Sequence, residues 1–339
     1  VSVLLIASCE RRESGARVSV VATIGEVGIW PGQFVMPRGM DVAAGTLVVV
    51  DKTARIQLID PKSGKSEGEW KTPRHEKGMP IGLTMATLGG RRVLLVADTH
   101  EHRVLVYDAS GDGAQGSGAW EIVGEFGSFG YGPGEFIYVT DVAVAHDPVL
   151  GTRIYVSEYG GNDRVSVFDG SLRFLFSFGT FGTGRDGTRV EFNRPQSLLF
   201  DPVGRELLVA DSCNHRIGRF TLDGELIAWI GEAGEPGSAL GAFRYPYSMA
   251  MLDDGTVLVA EYENSRVQRV DVRRGVGIET FGTPGRGDGE LAGPWAISVI
   301  DRTAYVLDTG NNRIVAFRSP RPAMAPELWV ATAGDGGAP

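Results

Sequence analysis

The chain has 339 residues, enough for two domains by length alone and for a core that needs no staples. Its 48 glycines and 17 prolines, beside 42% hydrophobic and 22% charged residues, exclude a helical bundle and point to many short strands joined by turns. A net charge of −9 excludes a general phosphate-binding surface and with it nucleic acid, and two cysteines, Cys9 and Cys213, exclude a disulfide framework.

In chain order, the opening residues VSVLLIASC look like the tail of a bacterial lipoprotein signal, where a short apolar run precedes a cysteine that is lipidated and becomes the mature N-terminus. On that reading Cys9 is the lipidation site and residues 1–17 are a signal remnant and linker. The protein is then exported to the cell envelope or periplasm, and meets the membrane only through its lipid. A stray start or an outer strand is the alternative. No later segment approaches the run of about 18 apolar residues that a membrane span needs. All five lysines lie between Lys52 and Lys77 while the arginines run the whole length, so the one basic cluster reads as a solvated loop.

From residue 51 onward one string recurs: DKTARIQLI (51–59), DTHEHRVLVY (98–107), EYGGNDRVSVF (158–168), DSCNHRIGRF (211–220), EYENSRVQRV (261–270) and DTGNNRIVAF (308–317). The acids Asp51, Asp98, Glu158, Asp211, Glu261 and Asp308 each precede an arginine: Arg55, Arg103, Arg164, Arg216, Arg266 and Arg313. A second signature comes before each copy, as in MPRGM (36–40), RPQSL (194–198), YPYSM (245–249) and GPWAI (293–297), and an apolar run ending in Gly follows most of them. Each unit holds four alternating runs rich in β-branched and aromatic residues, separated by turn signals. Four-stranded units repeated at this period predict an all-β fold, a six-bladed β-propeller of antiparallel blades around a central channel. One domain, residues 18–334, is expected, with 335–339 as a tail. VSVVATIG (18–25) has the look of an outer strand with no unit before it and is the favoured closing strand of the sixth blade; ELWVATAG (327–334) is its rival.

These signatures resemble the NHL repeat, whose pattern is a Pro-Gly entry, an apolar strand ending in Asp, then Asn, Arg and a further apolar strand. The resemblance covers residues 18 to about 318. It implies a six-bladed propeller, and in bacteria its members are often exported binding or sensor modules.

A pair present in every blade reads as structure: the acid and the arginine bond across the turn, with Asn162, Asn214, Asn264 and Asn311 at side-chain-bonded or left-handed turn positions. Function is expected where the repeat varies, at the residue after the proline: Arg38, Ile81, Thr140, Gln196, Tyr247 and Trp295. All six are expected to ring one mouth of the channel. Tyr247, Trp295 and Arg38, from adjacent blades, would stack on and bond to a sugar ring, a peptide aromatic or a carboxylate; a plug of packed side chains is the alternative. Glu158-Tyr159 and Glu261-Tyr262, with Asp141, are expected either to make this face acidic enough for a cation such as calcium, or merely to hold their arginines. His100, His102 and His215 are the places to look for zinc, His75 and His146 read as exposed loop residues, and Cys213 reads as a small buried residue.

Among enzymatic relatives, the peptide-amidating lyase resembles this propeller and holds zinc through His residues just after the proline, where this chain has Gln196, Tyr247 and Trp295. Sugar-lactonase propellers hold calcium through a central Glu, Asn and Asp set, of which Asp141 alone is recognisable. Streptogramin lyases depend on axial His residues that have no counterpart here. The reading is therefore a non-enzymatic binding or scaffold propeller, a monomer. It would recognise a protein, peptide or glycan through Arg38, Thr140, Asp141, Gln196, Tyr247 and Trp295, with no cofactor expected unless calcium. The alternative is a metal-dependent lyase or hydrolase built on Asp141 and neighbouring acids.

Overall fold

The computed structural model describes residues 18–76, 79–111, 119–185, 189–232 and 234–318. Cys9 and residues 327–334 lie outside the described residues. Six four-stranded antiparallel sheets form the blades, as the repeat predicts. Their innermost strands are Pro37–Ala43, Leu83–Leu88, Tyr138–Asp147, Pro195–Asp201, Pro246–Met251 and Pro294–Ile300. In the sixth blade the outermost position is filled by Ser19–Ile24, which pairs antiparallel with Arg313–Arg318 so that Ser19 faces Arg318. The N-terminal segment thus closes the ring.

The burial pattern follows from stacking. Second and third strands such as Thr46–Asp51 and Arg55–Ile59 are covered on both faces by neighbouring blades and are buried almost throughout, whereas outer strands such as Ser66–Lys71 and Val276–Phe281 alternate between half-buried and exposed. Six apolar clusters fill the six seams between blades; that between blades one and six joins Leu47, Val49 and Ile59 to Leu307, Ile314 and Ala316. Near the axis the seams are too narrow for bulk. A Cβ on Gly82 would stand 2.6 Å from the Thr140 carbonyl oxygen, so glycine is the residue that fits.

In five of the six blades, blade two apart, the innermost strand carries a β-bulge at the residue after the proline position: Arg38, Thr140, Gln196, Tyr247 and Trp295 each fall between two paired neighbours. A bulge re-aims one side chain without disturbing the ladder. Here it turns the variable position toward the channel.

Candidate functional site

The recurrent string is a clasp. Each acid meets its arginine at 2.7–3.0 Å, and all six acids are buried. In the last copy Asp308 accepts from Arg313 Nε at 2.7 Å, from Asn311 Nδ2 at 2.8 Å and from the Ala292 amide at 2.6 Å. Arg313 in turn donates to the Gly287 and Glu290 carbonyls of the incoming loop. The four asparagines are therefore side-chain-bonded; the left-handed position falls on the residue just before the arginine, at Ala54, His102, His215, Ser265 and Asn312. Each clasp ties the strand-two turn to the loop that enters its own blade.

Above the clasps lies the mouth. Trp295 and Tyr247 are 4.9 Å apart edge to face, and Ile81 from the opposite side of the ring packs against both. These three, all under a tenth exposed, close the channel with a plug, beneath which lies a cavity of about 420 Å³. The plug is the floor of the mouth rather than its walls. Tyr262 stacks on Tyr247 at 4.8 Å, Arg38 lies 4.6 Å over Trp295, and Arg194 lies 5.5 Å from the Tyr247 centroid and 4.9 Å from Tyr159. Burial, then the like charge of Arg194, hold the Arg38 guanidinium below its ordinary value. Its Nε and the Trp295 indole nitrogen are both shut from solvent with no acceptor.

The structure thus brings Arg38, Tyr247 and Trp295 together, and places Thr140, Asp141 and Gln196 differently. Thr140 is fully buried and spends its hydroxyl on Ser157 and on the Pro195 carbonyl across the seam. Gln196 is buried and accepts from Arg194 Nε at 2.9 Å. Asp141 sits below the plug, where its Oδ2 accepts from the Leu198 amide of the next blade at 2.9 Å. Asp41 does the same across another seam, its Oδ2 accepting from the Met85 amide at 2.6 Å while its Oδ1 accepts from the amide of its neighbour Val42 at 2.7 Å. Burial pushes the Asp41 carboxyl up to about 6; burial, with Asp41 adding to it, pushes Asp141 up to about 7.

Glu158 and Glu261 do not make the face acidic. Both are fully buried on their arginines, while the tyrosines beside them reach the mouth. The ring residues offer no zinc ligand, and among the described residues no group of three or more His, Cys, Asp or Glu is placed to hold a metal. Among the described residues the donor set does not fit the zinc centre that the amidating lyase implies. The histidines serve the backbone: His215 Nδ1 accepts from the Tyr245 amide, and His102 Nδ1 meets the Ile137 carbonyl. Two further expectations are corrected. His146 ends an innermost strand instead of sitting in a loop, though it is exposed, and Cys213 is half-buried, its thiol pushed up by burial.

Arg194 as a mouth residue and Asp41 as a channel acid were missed at the sequence level, and Tyr159 and Tyr262 were placed on this face only as companions of their glutamates. The available signal was the residue before the proline. Met36, Arg194 and Tyr245 hold φ of +47°, +59° and +51°, which costs on the order of 1–3 kcal/mol for a bulky residue and re-aims its side chain. The first two are held there by amide bonds to Asn312 and Asp163 at 2.7 and 2.6 Å.

The NHL repeat model matches residues 192–220 and 243–270, which lie in blades four and five. The chain is 29% identical over 168 residues to the mouse (Mus musculus) peptidyl-glycine alpha-amidating monooxygenase, a match spanning 50% of this chain and 16% of that protein. The rat (Rattus norvegicus) protein gives 30% over the same length and the same shares. The chain therefore spans about a sixth of the length of these relatives. Its fold is similar to a protein of unknown function from Bacteroides thetaiotaomicron, with TM-score 0.66 and 15% identity over 89% of this chain and 76% of that one. It is also similar to streptogramin B lyase, with TM-score 0.56 and 12% identity over 87% and 96%. The virginiamycin B lyase of Staphylococcus aureus, solved with quinupristin, gives 0.55 and 16% over 88% and 89%. At these identities the likeness is one of fold. Repeat, clasp and blade topology agree: the chain is a six-bladed β-propeller that carries NHL repeats in blades four and five.

Proposed function

We propose that this propeller is a non-enzymatic binding or scaffold module of the cell envelope, recognising a protein, peptide or glycan on the mouth face. The observation that carries the reading is the aromatic floor of Trp295, Tyr247 and Tyr262 with Arg38 laid on it, at the positions where the blades differ. Flat rings beside a planar cation suit a sugar face or a peptide side chain. The envelope location rests on the opening residues of the sequence. Peptide and glycan arrays probed with the purified protein test the site: Trp295→Ala and Arg38→Ala should each cost a mouth ligand about 1–4 kcal/mol. If every array ligand kept its wild-type affinity in both variants, the site assignment would fall.

A second reading, a metal-dependent lyase or hydrolase centred on Asp141, is favoured by the similarity to the amidating monooxygenase over half of the chain. Elemental analysis before and after chelation tests it; a protein free of metal as purified and unaffected by the chelator removes it.

A further inference from the structure

The chain carries a net charge of −9, yet among the described residues neither arginine of its mouth is ion-paired: Asp163, beside Arg194, is taken up by the Arg194 and Gly161 amides. The six clasp arginines each have a carboxylate at 2.7–3.0 Å; Arg38 and Arg194 have none among the described residues. Arg194 places its Nε on Gln196 and its plane over Tyr159 and Tyr247, but a ring face supplies no acceptor for the terminal N–H groups. Arg38 Nε is buried without an acceptor, and so is the indole N–H of Trp295, a residue more than nine-tenths buried. Like charges share a partly desolvated site, and donors outnumber acceptors there. Such an arrangement costs free energy in the empty protein, and an anion offsets that cost.

We propose that the mouth is an oxyanion site, taking a ligand whose carboxylate, sulfate or phosphate group lies against Arg38 and Arg194 while a flat apolar body rests on the floor of Tyr247, Tyr262 and Trp295. This rests on the binding reading above and names the ligand class for it. Guanidinium forks match the paired oxygens of a carboxylate and the trigonal faces of sulfate and phosphate, which is why arginine and not lysine suits such a mouth. Restricted solvent around Arg38 makes the pairing stronger than an exposed ion pair.

The test uses the full chain and small probes: benzoate, phenyl sulfate and phenyl phosphate against the neutral benzamide and benzyl alcohol, by titration calorimetry and by the rise in Tm. The anions should bind in preference to their neutral counterparts, and the three anions compared tell carboxylate from sulfate and phosphate. Arg38→Gln and Arg194→Gln should each weaken the anion by about 10- to 100-fold, as loss of a charged hydrogen bond does. Arg173→Gln, on an exposed outer turn, should leave binding unchanged. The wild-type comparison of anion with neutral probe needs no variant, so it stands even where a variant misfolds. Equal binding of benzoate and benzamide, no binding of any anion at concentrations that saturate weak sites, or anion binding that survives the double variant overturns the proposal. An array ligand that is neutral yet depends on Trp295 and Tyr262 would sink the oxyanion while leaving the binding module intact.

Discussion

Asp141→Asn should make the protein more stable at pH 8 while barely changing it at pH 4. The carboxyl is pushed up to about 7 in the folded protein from an ordinary 3.8. Between those values the native state keeps a proton that the unfolded chain has lost, so folding stability falls as pH rises through the window. The penalty is absent below about pH 4 and complete above about pH 7. A shift of this size corresponds to at most roughly 4 kcal/mol. Asparagine carries no charge to desolvate, and its amide oxygen still accepts from the Leu198 amide across the seam. Urea unfolding followed by tryptophan fluorescence at pH 4, 6 and 8 measures the effect as a gap between variant and wild type that opens with pH. Asp41→Asn should open a smaller gap, complete by about pH 6. Parallel profiles for Asp141→Asn and wild type would show that the carboxyl is not held neutral and refute the reasoning.

Two further outcomes test the frame. Asp308→Ala strands Arg313, Asn311 and the Ala292 amide in a buried clasp and should cost about 3–5 kcal/mol, against a smaller loss for Asp308→Asn; a Tm unmoved by Asp308→Ala would contradict the clasp. Removing residues 1–24 leaves the sixth blade three-stranded, and should lower Tm and admit protease at Arg313–Arg318, with partial rescue by a peptide of residues 18–25.

The fold was legible because repetition multiplies weak signals: a single Asp–Arg pair says little, whereas six in register define a turn. The variable ring was legible too, since Arg38, Tyr247 and Trp295 stand out against a constant background. Thr140 and Gln196 are placed differently because the position after the proline specifies only a starting direction: Thr140 finds Ser157 and, across the seam, the Pro195 carbonyl, and Gln196 finds Arg194 in its own blade. Glu158 and Glu261 take the second of the two roles open to them: their extra methylene compared with Asp still folds inward, and each holds its arginine, Arg164 or Arg266. Arg194 stayed hidden because its direction comes from a positive φ before Pro195, a conformation local preference disfavours and only the bond to Asp163 secures.

The closing strand also sets a clock. Every other pairing within a blade joins neighbours in sequence, but Ser19 must find Arg318. Bringing those ends together costs about 5 kcal/mol of loop entropy, against about 3 for a loop of some 25 residues. On a ribosome adding roughly 5–20 residues per second, a β-prone SVVATI segment waits about 15–60 s for its partner. Throughout that interval the first strand made is the last one paired, and it is the segment most open to pairing with another chain.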